Sequence, residues 1–291
     1  MSLEVELEQL CTGAVWSEGP VWFEPSQTLA WSDIPNNRML AWNAAQGMTT
    51  FRSPSHFSNG NTLDREGRMI TCEHGRRCLS RTEHNGSVTV LVDRYRGHRL
   101  NSPNDVVVKS DGTIWFTDPS YGIMSNREGY KADSELGGRC YVFCFDPASG
   151  VLRIVEDSFE KPNGLAFSPD ETKLYVSDTS ASHDADGHHH IRVFDVTTDA
   201  RLVNGRVFAV VNPGLPDGFR LDTEGRLYVS SDDSIQVFDP DGTLLGKIPV
   251  PEKIANCVFG GAAGNELFIV ASTSLYRIRL NTVGAHRVGH V

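Results

Sequence analysis

Six short segments of the chain each begin with a side chain that carries a carboxylate or carboxamide oxygen, and each then enters an apolar run. The first residues of these segments are Glu18, Asn59, Asn104, Asn163, Asp217 and Asn256. Two carboxylates can balance the charge of a dication while amide oxygens complete its coordination shell. Because all these donors are oxygens, they favour Ca²⁺, with Mg²⁺, Mn²⁺ or Zn²⁺ as alternatives. The sequence therefore predicts one divalent-metal site.

A structural interpretation of the same residues is that Asn-Gly and Asp-Gly simply form tight turns. Glu18 and Asn104 do not suit such a turn, yet their segments follow the same pattern. We therefore favour the metal site over the turns.

Further acidic residues stand at the ends of β-branched and aromatic segments, at Asp33, Glu73, Asp118 and Asp178. Contacts of these carboxylates with backbone amides in turns are the favoured interpretation, ahead of a role as ligands. His74 directly follows Glu73, where its imidazole could hydrogen-bond a substrate or move a proton. A solvated loop histidine is the alternative.

The elements that would bring these residues together are short strands. After each starting residue the chain passes through a strand, a turn rich in Gly, Pro, Asp or Asn, and a second strand. The second strands are predicted at residues 29–33, 69–73, 114–118, 174–178, 227–231 and 267–271. Successive starting residues are 39 to 59 positions apart, which is close to the roughly 40 to 50 residues of a propeller blade. We predict an all-β fold, a six-bladed β-propeller of four-stranded antiparallel blades, forming one domain over residues 1–291.

In a propeller the first strand of each blade lines the central channel, so the six starting residues should meet at one mouth. Loops between second and third strands emerge at the same mouth, and two of them are long, at residues 119–138 and 179–189. Long loops on a rigid scaffold commonly carry binding function, so we expect both to form pocket walls. The alternation of Leu3, Val5 and Leu7 with glutamates predicts one more strand, which would pair with the last blade and close the ring.

Composition limits the partners of the chain. Its 291 residues carry a formal net charge of −10, the wrong sign for holding a phosphate backbone. No apolar run is long enough for a transmembrane helix. The six cysteines are expected to be free buried thiols. Residues 1–10 do not resemble a signal peptide, which leads us to expect a cytoplasmic protein, with a periplasmic origin and a trimmed signal as the alternative. We expect a monomer or a weak homodimer.

Several motifs resemble the family that joins gluconolactonases, senescence marker protein (regucalcin) and luciferin-regenerating enzyme. The matching motifs are SEGPVW (17–22), KPNGLAF (161–167), PDGF (216–219) and NCVFGG (256–261). Three more are similar to the bacterial gluconolactonase branch: CEHG (72–75), NSPND (101–105) and FTDPSYG (116–122). The resemblance covers residues 17–274, all six predicted blades.

The resemblance implies roles for individual residues. Glu18, Asn163 and Asp217 would be the metal ligands, Asn104 would lie at both metal and substrate, and Asp217 would double as the general base. Substrate binding is assigned to Asn104, Asn101, Glu73 and Tyr121. In the regucalcin branch an arginine two positions before the equivalent of Asn104 holds the sugar lactone. Here that position is Ser102, so other residues must recognise the hydroxyls.

The favoured function is metal-assisted hydrolysis of a sugar lactone, such as D-glucono-1,5-lactone, to the aldonic acid. Asp217 would accept a proton from the attacking water, and His74 or a hydroxide ion on the metal could share that role. Two alternatives are a propeller that hydrolyses an aryl ester or phosphotriester with the same metal, and a non-enzymatic propeller that binds a protein or ligand. The concentration of oxygen donors at one mouth argues against the non-enzymatic alternative.

Overall fold

The computed structural model describes residues 6–285, and nearly all regular structure in them is β-strand. The first half of the chain contains β1 (Glu8–Thr12), β2 (Ser17–Phe23), β3 (Thr28–Asp33), β4 (Arg38–Asn43), β5 (Gly47–Arg52), β6 (Ser58–Leu63), β7 (Met69–Glu73), β8 (Cys78–Thr82), β9 (Val88–Val92), β10 (Arg94–Tyr95), β11 (His98–Arg99), β12 (Val106–Val108), β13 (Ile114–Asp118), β14 (Tyr141–Asp146) and β15 (Val151–Glu156). The second half contains β16 (Pro162–Phe167), β17 (Lys173–Asp178), β18 (His190–Val196), β19 (Leu202–Val210), β20 (Phe219–Leu221), β21 (Leu227–Val229), β22 (Ser234–Phe238), β23 (Leu244–Pro249), β24 (Ile254–Gly260), β25 (Glu266–Ala271) and β26 (Ser274–Arg279). The only helical segments in residues 6–285 are α1 (Tyr121–Met124) and a 3₁₀ turn (Ser180–Ser182), and neither is long enough to cross a membrane.

Apart from a two-stranded hairpin of β10 and β11, the strands form six four-stranded antiparallel sheets that follow one another along the chain. Blades 1 to 5 begin with β2, β6, β12, β16 and β20, and each takes its four strands in sequence order. Blade 6 contains β24, β25 and β26, and β1 from the start of the chain is its outer strand. The inner strands contact one another around the ring, with β2 packed against both β6 and β24. The predicted six-bladed β-propeller is confirmed.

The closing strand lies later than the sequence pattern predicted. Leu3 and Val5 lie outside the described residues, and Leu7 precedes β1, which pairs Glu8 with Arg277 and Thr12 with Ser274. A register shift between Gln9 and Cys11 interrupts the alternation in β1. The predicted pairing of an N-terminal strand with the last blade is confirmed, but the strand was placed too early because regular alternation is the sequence signal for a half-buried strand.

The core consists of six hydrophobic clusters, each shared by two neighbouring blades. Trp115 of blade 3 meets Phe167 of blade 4 edge to face, with ring centroids 5.4 Å apart. Trp22 of blade 1 stacks on Phe268 of blade 6 at 4.9 Å, across the closure of the ring. Burial of one such side chain stabilises the fold by about 1.5–3 kcal/mol. The ring is therefore held mainly by packing between blades, which fixes the inner strands relative to one another.

Two inner-strand glycines explain why Asn-Gly recurs. A Cβ atom at Gly60 would lie 2.4 Å from the Asn104 carbonyl oxygen, and one at Gly164 would lie 2.2 Å from that of Asp217. Both glycine N–H groups donate to those same carbonyls, at 2.7 and 3.1 Å. The glycines therefore allow one blade's backbone to touch the next blade's starting residue, and these Asn-Gly pairs lie inside strands β6 and β16 rather than in turns.

The acidic residues that end the second strands hold the loop leading into their own blade. Asp33 accepts from the Val15 amide at 2.9 Å, and Asp178 accepts from the Glu160 amide at 3.0 Å. Asp118 accepts from the amides of Asn101 and Ser102, both at 2.8 Å. The structural interpretation of these three aspartates is confirmed.

Candidate active site

Five of the six starting residues line a small cavity at one mouth of the channel. The cavity has a volume of about 150 Å³ and is lined by Glu18, Asn59, Asn104, Asn163 and Asp217, among others. Each of these residues stands at or just before the start of an inner strand, so the ring of blades brings them together from five different sheets.

Asn256, the sixth residue, stands behind Glu18 rather than on the cavity wall. Its Nδ2 donates to Glu18 Oε2 at 3.4 Å, and its Oδ1 accepts from the Cys257 amide at 2.8 Å. A second donor to Glu18 Oε2 is the Gly19 amide at 3.0 Å. Asn256 therefore orients Glu18 instead of facing a ligand.

Glu18 and Asp217 form a pair of buried carboxylates. Burial raises the pKa of Glu18 well above its usual range, and the negative charges of Asp217 and Asp105 raise it further. Burial also raises the pKa of Asp217 to about 7, although hydrogen bonds with Glu18 and Asn163 and the charge of Lys253 oppose the shift. Two carboxylates at one site cannot both ionise easily without a compensating cation. The pair is therefore suited to hold a cation, or one proton in its absence.

The carboxamides around the pair are oriented by their neighbours. Asn163 Nδ2 donates to Thr179 Oγ1 at 3.1 Å, and no described residue donates to its Oδ1. The Asn163 carbonyl oxygen accepts from Thr117 of the preceding blade at 2.7 Å, which fixes the backbone at this position. An amide oxygen fixed beside two carboxylates is a suitable donor for a hard dication.

His74 does not lie on the cavity wall, and its geometry does not support the predicted catalytic role. Its Nδ1 lies 2.9 Å from the Glu128 carbonyl oxygen, which can only accept, so Nδ1 carries the proton. Its Nε2 then accepts from Asn59 Nδ2 at 3.2 Å. Burial lowers the pKa of His74 to about 4, so the ring is neutral at pH 7. Both ring nitrogens are occupied, and His74 positions the carboxamide of Asn59.

Asn101 and Glu73 are also absent from the cavity wall, contrary to the sequence prediction. Asn101 Nδ2 donates to the carbonyl oxygens of Asp118 and Arg139, at 3.2 and 2.8 Å, and its Oδ1 accepts from Ser134. These bonds tie the long loop of blade 3 to the blade. Asn101 was predicted near the substrate because it belongs to the NSPND motif. Its side chain instead points into the scaffold.

Glu73 takes a different set of partners from the other strand-end acids. Its carboxylate forms an ion pair with Arg76 and accepts from Ser80 Oγ at 2.5 Å. The extra methylene group lets Glu73 reach these side chains in its own blade. It is buried and fully engaged there.

Ser102 stands two positions before Asn104 but does not line the cavity. Its hydroxyl donates to the Pro119 carbonyl oxygen at 2.6 Å and accepts from the Gly122 amide at 3.0 Å. Pro119 lies just before α1 and Gly122 lies within it, so Ser102 anchors the long loop that contains α1. The structural role of this hydroxyl explains why recognition of a ligand must come from elsewhere.

Both long loops contribute to the cavity wall. Tyr121 and Glu128 come from the loop after β13, and Thr179, Ser182 and His183 come from the loop after β17. The Tyr121 hydroxyl hydrogen-bonds to Thr179 Oγ1 at 2.7 Å, which joins the two loops over the cavity. Burial raises the pKa of Glu128 above its usual value. The sequence located these loops but did not single out Glu128.

Four more wall residues, Trp16, Ile34, Leu215 and Lys253, were missed, and two of them follow a simple register. Trp16 and Leu215 each precede a starting residue by two positions, the same offset as Ser102. Lys253 precedes Asn256 by three positions, and a register shift between Ile254 and Asn256 accounts for the difference. This offset was the available signal for Trp16 and Leu215, although Ser102 at the same offset is bonded to the loop of blade 3 instead.

The donor set fits a hard dication. Within residues 6–285 no three His, Cys, Asp or Glu side chains gather closely enough to hold an ion by themselves. An ion at this mouth would have to be held by the Glu18 and Asp217 carboxylates together with amide oxygens such as that of Asn163. Two negative charges with neutral oxygen donors match Ca²⁺, Mg²⁺ or Mn²⁺ better than a thiophilic metal.

The other end of the channel contains a larger pocket of a different character. It has a volume of about 580 Å³ and is lined mainly by apolar side chains of the inner strands, including Val21, Val108, Leu221 and Phe259. Arg220 also lines this pocket, and its Nη1 lies 3.5 Å from Asp105 Oδ2.

Fold and site define a six-bladed β-propeller with carboxylates and carboxamides gathered at one mouth. Residues 16–273 match the family described as SMP-30/Gluconolactonase/LRE-like region, and the chain belongs to that family. It is 33% identical to a gluconolactonase of Zymomonas mobilis, covering 98% of this chain and 84% of the relative. A solved gluconolactonase structure from Xanthomonas campestris is 42% identical, with a TM-score of 0.89 and coverage of 96% and 90%. A pentonolactonase of Haloferax volcanii is 26% identical, covering 88% and 81%.

Proposed function

We propose that this protein hydrolyses a sugar lactone of the D-glucono-1,5-lactone type to the aldonic acid, with a divalent cation bound by Glu18, Asn163 and Asp217. The observation that carries the proposal is the pair of buried carboxylates, Glu18 and Asp217, facing a cavity at the channel mouth. Family membership and the gluconolactonase relatives support the choice of a lactone as substrate.

Hydrolysis adds water across the ester bond of the ring. The water oxygen bonds to the carbonyl carbon, the bond between that carbon and the ring oxygen breaks, and the ring oxygen leaves as a hydroxyl group after gaining a proton. A bound dication would supply Lewis-acid polarisation of the carbonyl group. The residues of the chain must therefore orient the lactone and manage one proton.

Asp217 is the residue best placed to accept the proton of the water. It lines the cavity, and in the ion-free protein burial raises its pKa to about 7. A bound dication would lower that pKa and keep the carboxylate ionised, so that it can accept a proton. General-base catalysis by a positioned carboxylate typically contributes 10² to 10⁴ in rate. The carboxamide of Asn163 stands beside this carboxylate and favours its ionised form.

The remaining polar wall residues are suited to binding sugar hydroxyl groups. Asn104 lines the cavity with a side chain that has no hydrogen-bond partner among the described residues, so both its donor and its acceptor are available. Glu128 offers a carboxylate on the opposite loop, and Lys253 offers a cation at the rim. A cavity of about 150 Å³ suits a single sugar ring better than an oligosaccharide. We assign hydroxyl recognition to Asn104 and Glu128.

The test is a pH-stat assay of a lactone panel with wild-type protein, before and after removal of bound ions by a chelator. We expect hydrolysis of five- and six-carbon aldonolactones, loss of the rate after chelation, and recovery with Ca²⁺ or Mn²⁺. An aryl ester and a phosphotriester in the same panel serve as substrates that should react slowly. Rapid turnover of either one, without lactone hydrolysis, would contradict the proposal.

A further inference from the structure

Asp105 lies in the channel beneath the two carboxylates but is not on the cavity wall. Its side chain is fully buried, with an exposed fraction of 2% for the residue. Its Oδ1 accepts from the Val106 amide at 2.9 Å, whereas its Oδ2 has no hydrogen-bond partner among residues 6–285. A buried carboxylate oxygen without a partner is costly, so this position needs an explanation.

Arg220 approaches Asp105 from the opposite, apolar end of the channel. Its Nη1 donates to the Phe219 carbonyl oxygen at 2.8 Å and lies 3.5 Å from Asp105 Oδ2. The side chain of Arg220 is 17% exposed and that of Asp105 is 3% exposed, so water screens this pair weakly. The guanidinium is too far from Oδ2 for a good hydrogen bond, but it is close enough to cancel much of the carboxylate charge.

The Asp105–Arg220 pair affects the net charge near Glu18 and Asp217. Glu18, Asp105 and Asp217 are all buried, and the negative charge of Asp105 acts on both of the others. With Arg220 beside Asp105, the three buried carboxylates and one guanidinium leave a formal charge of −2, and the opposite charges of Glu128 and Lys253 on the cavity wall cancel each other. That charge equals what one dication neutralises.

We propose that the Asp105–Arg220 ion pair is a positioning and charge-setting element that matches the mouth of the channel to a divalent cation, without Asp105 itself contacting the ion. The positive charge of Arg220 offsets the negative charge of Asp105. The ion therefore interacts with the net charge of Glu18 and Asp217 alone. This inference rests on the proposed function, because it assumes that the mouth binds a dication.

The proposal distinguishes two explanations for weaker ion binding by the Asp105→Asn variant. If Asp105 acts only through its charge, then Asp105→Asn weakens ion binding because Arg220 is left as an uncompensated cation near the ion. Removing Arg220 as well should then restore binding. If Asp105 is instead a direct ligand, the double variant should bind as weakly as the single one.

The experiment is a double-mutant cycle measured by isothermal titration of chelator-stripped full-length protein with Ca²⁺ and, separately, Mn²⁺. We expect Asp105→Asn to weaken binding by at least about tenfold, because an uncompensated unit charge in a buried site is weakly screened. The variant carrying both Asp105→Asn and Arg220→Gln should return to within about threefold of the wild type. Arg220→Gln alone should bind at least as tightly as the wild type.

A matched control comes from the same blade. Arg226 forms an ion pair with buried Asp222 at 2.7 Å, away from the cavity, so Arg226→Gln should leave ion affinity unchanged. Thermal unfolding of each variant checks the fold. If Asp105→Asn does not fold, Arg220→Gln alone still decides, because tenfold weaker ion binding by this variant would overturn the inference.

The outcomes distinguish this inference from the proposed function. A wild-type protein that binds neither ion would overturn the proposed metal site and this inference together. Normal binding by the wild type, with a double variant that stays as weak as Asp105→Asn, would overturn only the charge-setting role.

Discussion

The two mouths of the channel are built from the same six inner strands and yet have opposite chemistry. At one mouth the strands begin, and their first residues surround a cavity of about 150 Å³ with carboxylates and carboxamides. At the other mouth the strands end, and a pocket of about 580 Å³ is lined mainly by apolar side chains such as Val21 and Leu221. Among the described residues that line the larger pocket, Glu24 and Glu66 carry carboxylates, and neither is buried.

This difference shows that pocket size is a poor guide to chemistry in this propeller. The polar mouth concentrates buried groups with shifted pKa values, which is typical of catalytic sites. The apolar mouth supplies burial for the inner strands instead. Substitutions at the two ends should therefore have separable effects, on catalysis at one mouth and on stability at the other.

The largest effect is expected from Asp217→Asn at the polar mouth. Asparagine keeps an oxygen that can face an ion but cannot accept a proton from water. We expect kcat for lactone hydrolysis to fall at least about 10²-fold, even at saturating Mn²⁺. The exposed turn of the same blade offers a control, Asp241→Asn, which should retain the wild-type rate. Recovery of near wild-type kcat by Asp217→Asn would show that another group is the base.

Glu18→Gln should weaken cation binding by at least about tenfold, because one of the two compensating charges is lost. Isothermal titration with Ca²⁺ measures this effect directly. The same change at the opposite mouth, Glu66→Gln, provides the comparison, since Glu66 lies on the rim of the apolar pocket. Equal effects of the two substitutions would remove the distinction between the mouths.

His74 should act through Asn59 rather than as a base. We expect His74→Ala to lower kcat/KM by about tenfold, because the Asn59 carboxamide loses its acceptor. His74→Gln should keep most of the activity, since a glutamine can donate to the Glu128 carbonyl group and accept from Asn59. A general base would not be replaced in this way, so an inactive His74→Gln variant that still folds and binds the ion would favour a proton-transfer role.

Burial of neutral His74 should also make stability depend on pH. Its pKa is about 4 in the folded protein and about 6.5 when unfolded, so the unfolded state binds the proton first as pH falls. His74 therefore does not lower the free energy of unfolding above pH 6.5. Between about pH 6.5 and 4 its protonation in the unfolded state lowers that free energy by up to about 3 kcal/mol. Denaturant unfolding of wild type and His74→Gln at pH 7 and 5 measures it. The wild type should lose more stability than the variant over that interval.

The smallest effect on activity is expected at the apolar mouth. Leu221→Ala removes a buried side chain and should reduce the free energy of unfolding by about 2–5 kcal/mol. KM and kcat should stay within about twofold of the wild type below the melting temperature. A large rise in KM would indicate that the apolar pocket takes part in substrate binding.

The fold was predictable because each blade repeats a strong local pattern. The second strands at residues 69–73 and 114–118 were located to the residue, since their apolar and β-branched composition leaves few alternatives. The closing strand was misplaced because β1 contains a register shift and lacks alternation. Contacts between distant ends of the chain carry no local signal.

The site was predictable to the level of strand starts, but not to the level of side-chain direction. Glu18, Asn163 and Asp217 meet at the cavity as the repeat requires. His74 and Asn101 share motifs with cavity residues but point into the scaffold, where Glu128 and Arg139 supply their partners. Those partners lie 54 and 38 residues away in the chain, in the long loop or at its end. Sequence spacing cannot show which atoms such a loop will satisfy.

The most direct test of the account is the rate of D-glucono-1,5-lactone hydrolysis by chelator-stripped wild-type protein as free Ca²⁺ or Mn²⁺ is raised. The account predicts a rate near the uncatalysed background without ion and a hyperbolic recovery that fits one site per chain. The half-saturation concentration should agree with the Kd from isothermal titration. Full activity of the stripped protein, unchanged by added ion, would contradict the account.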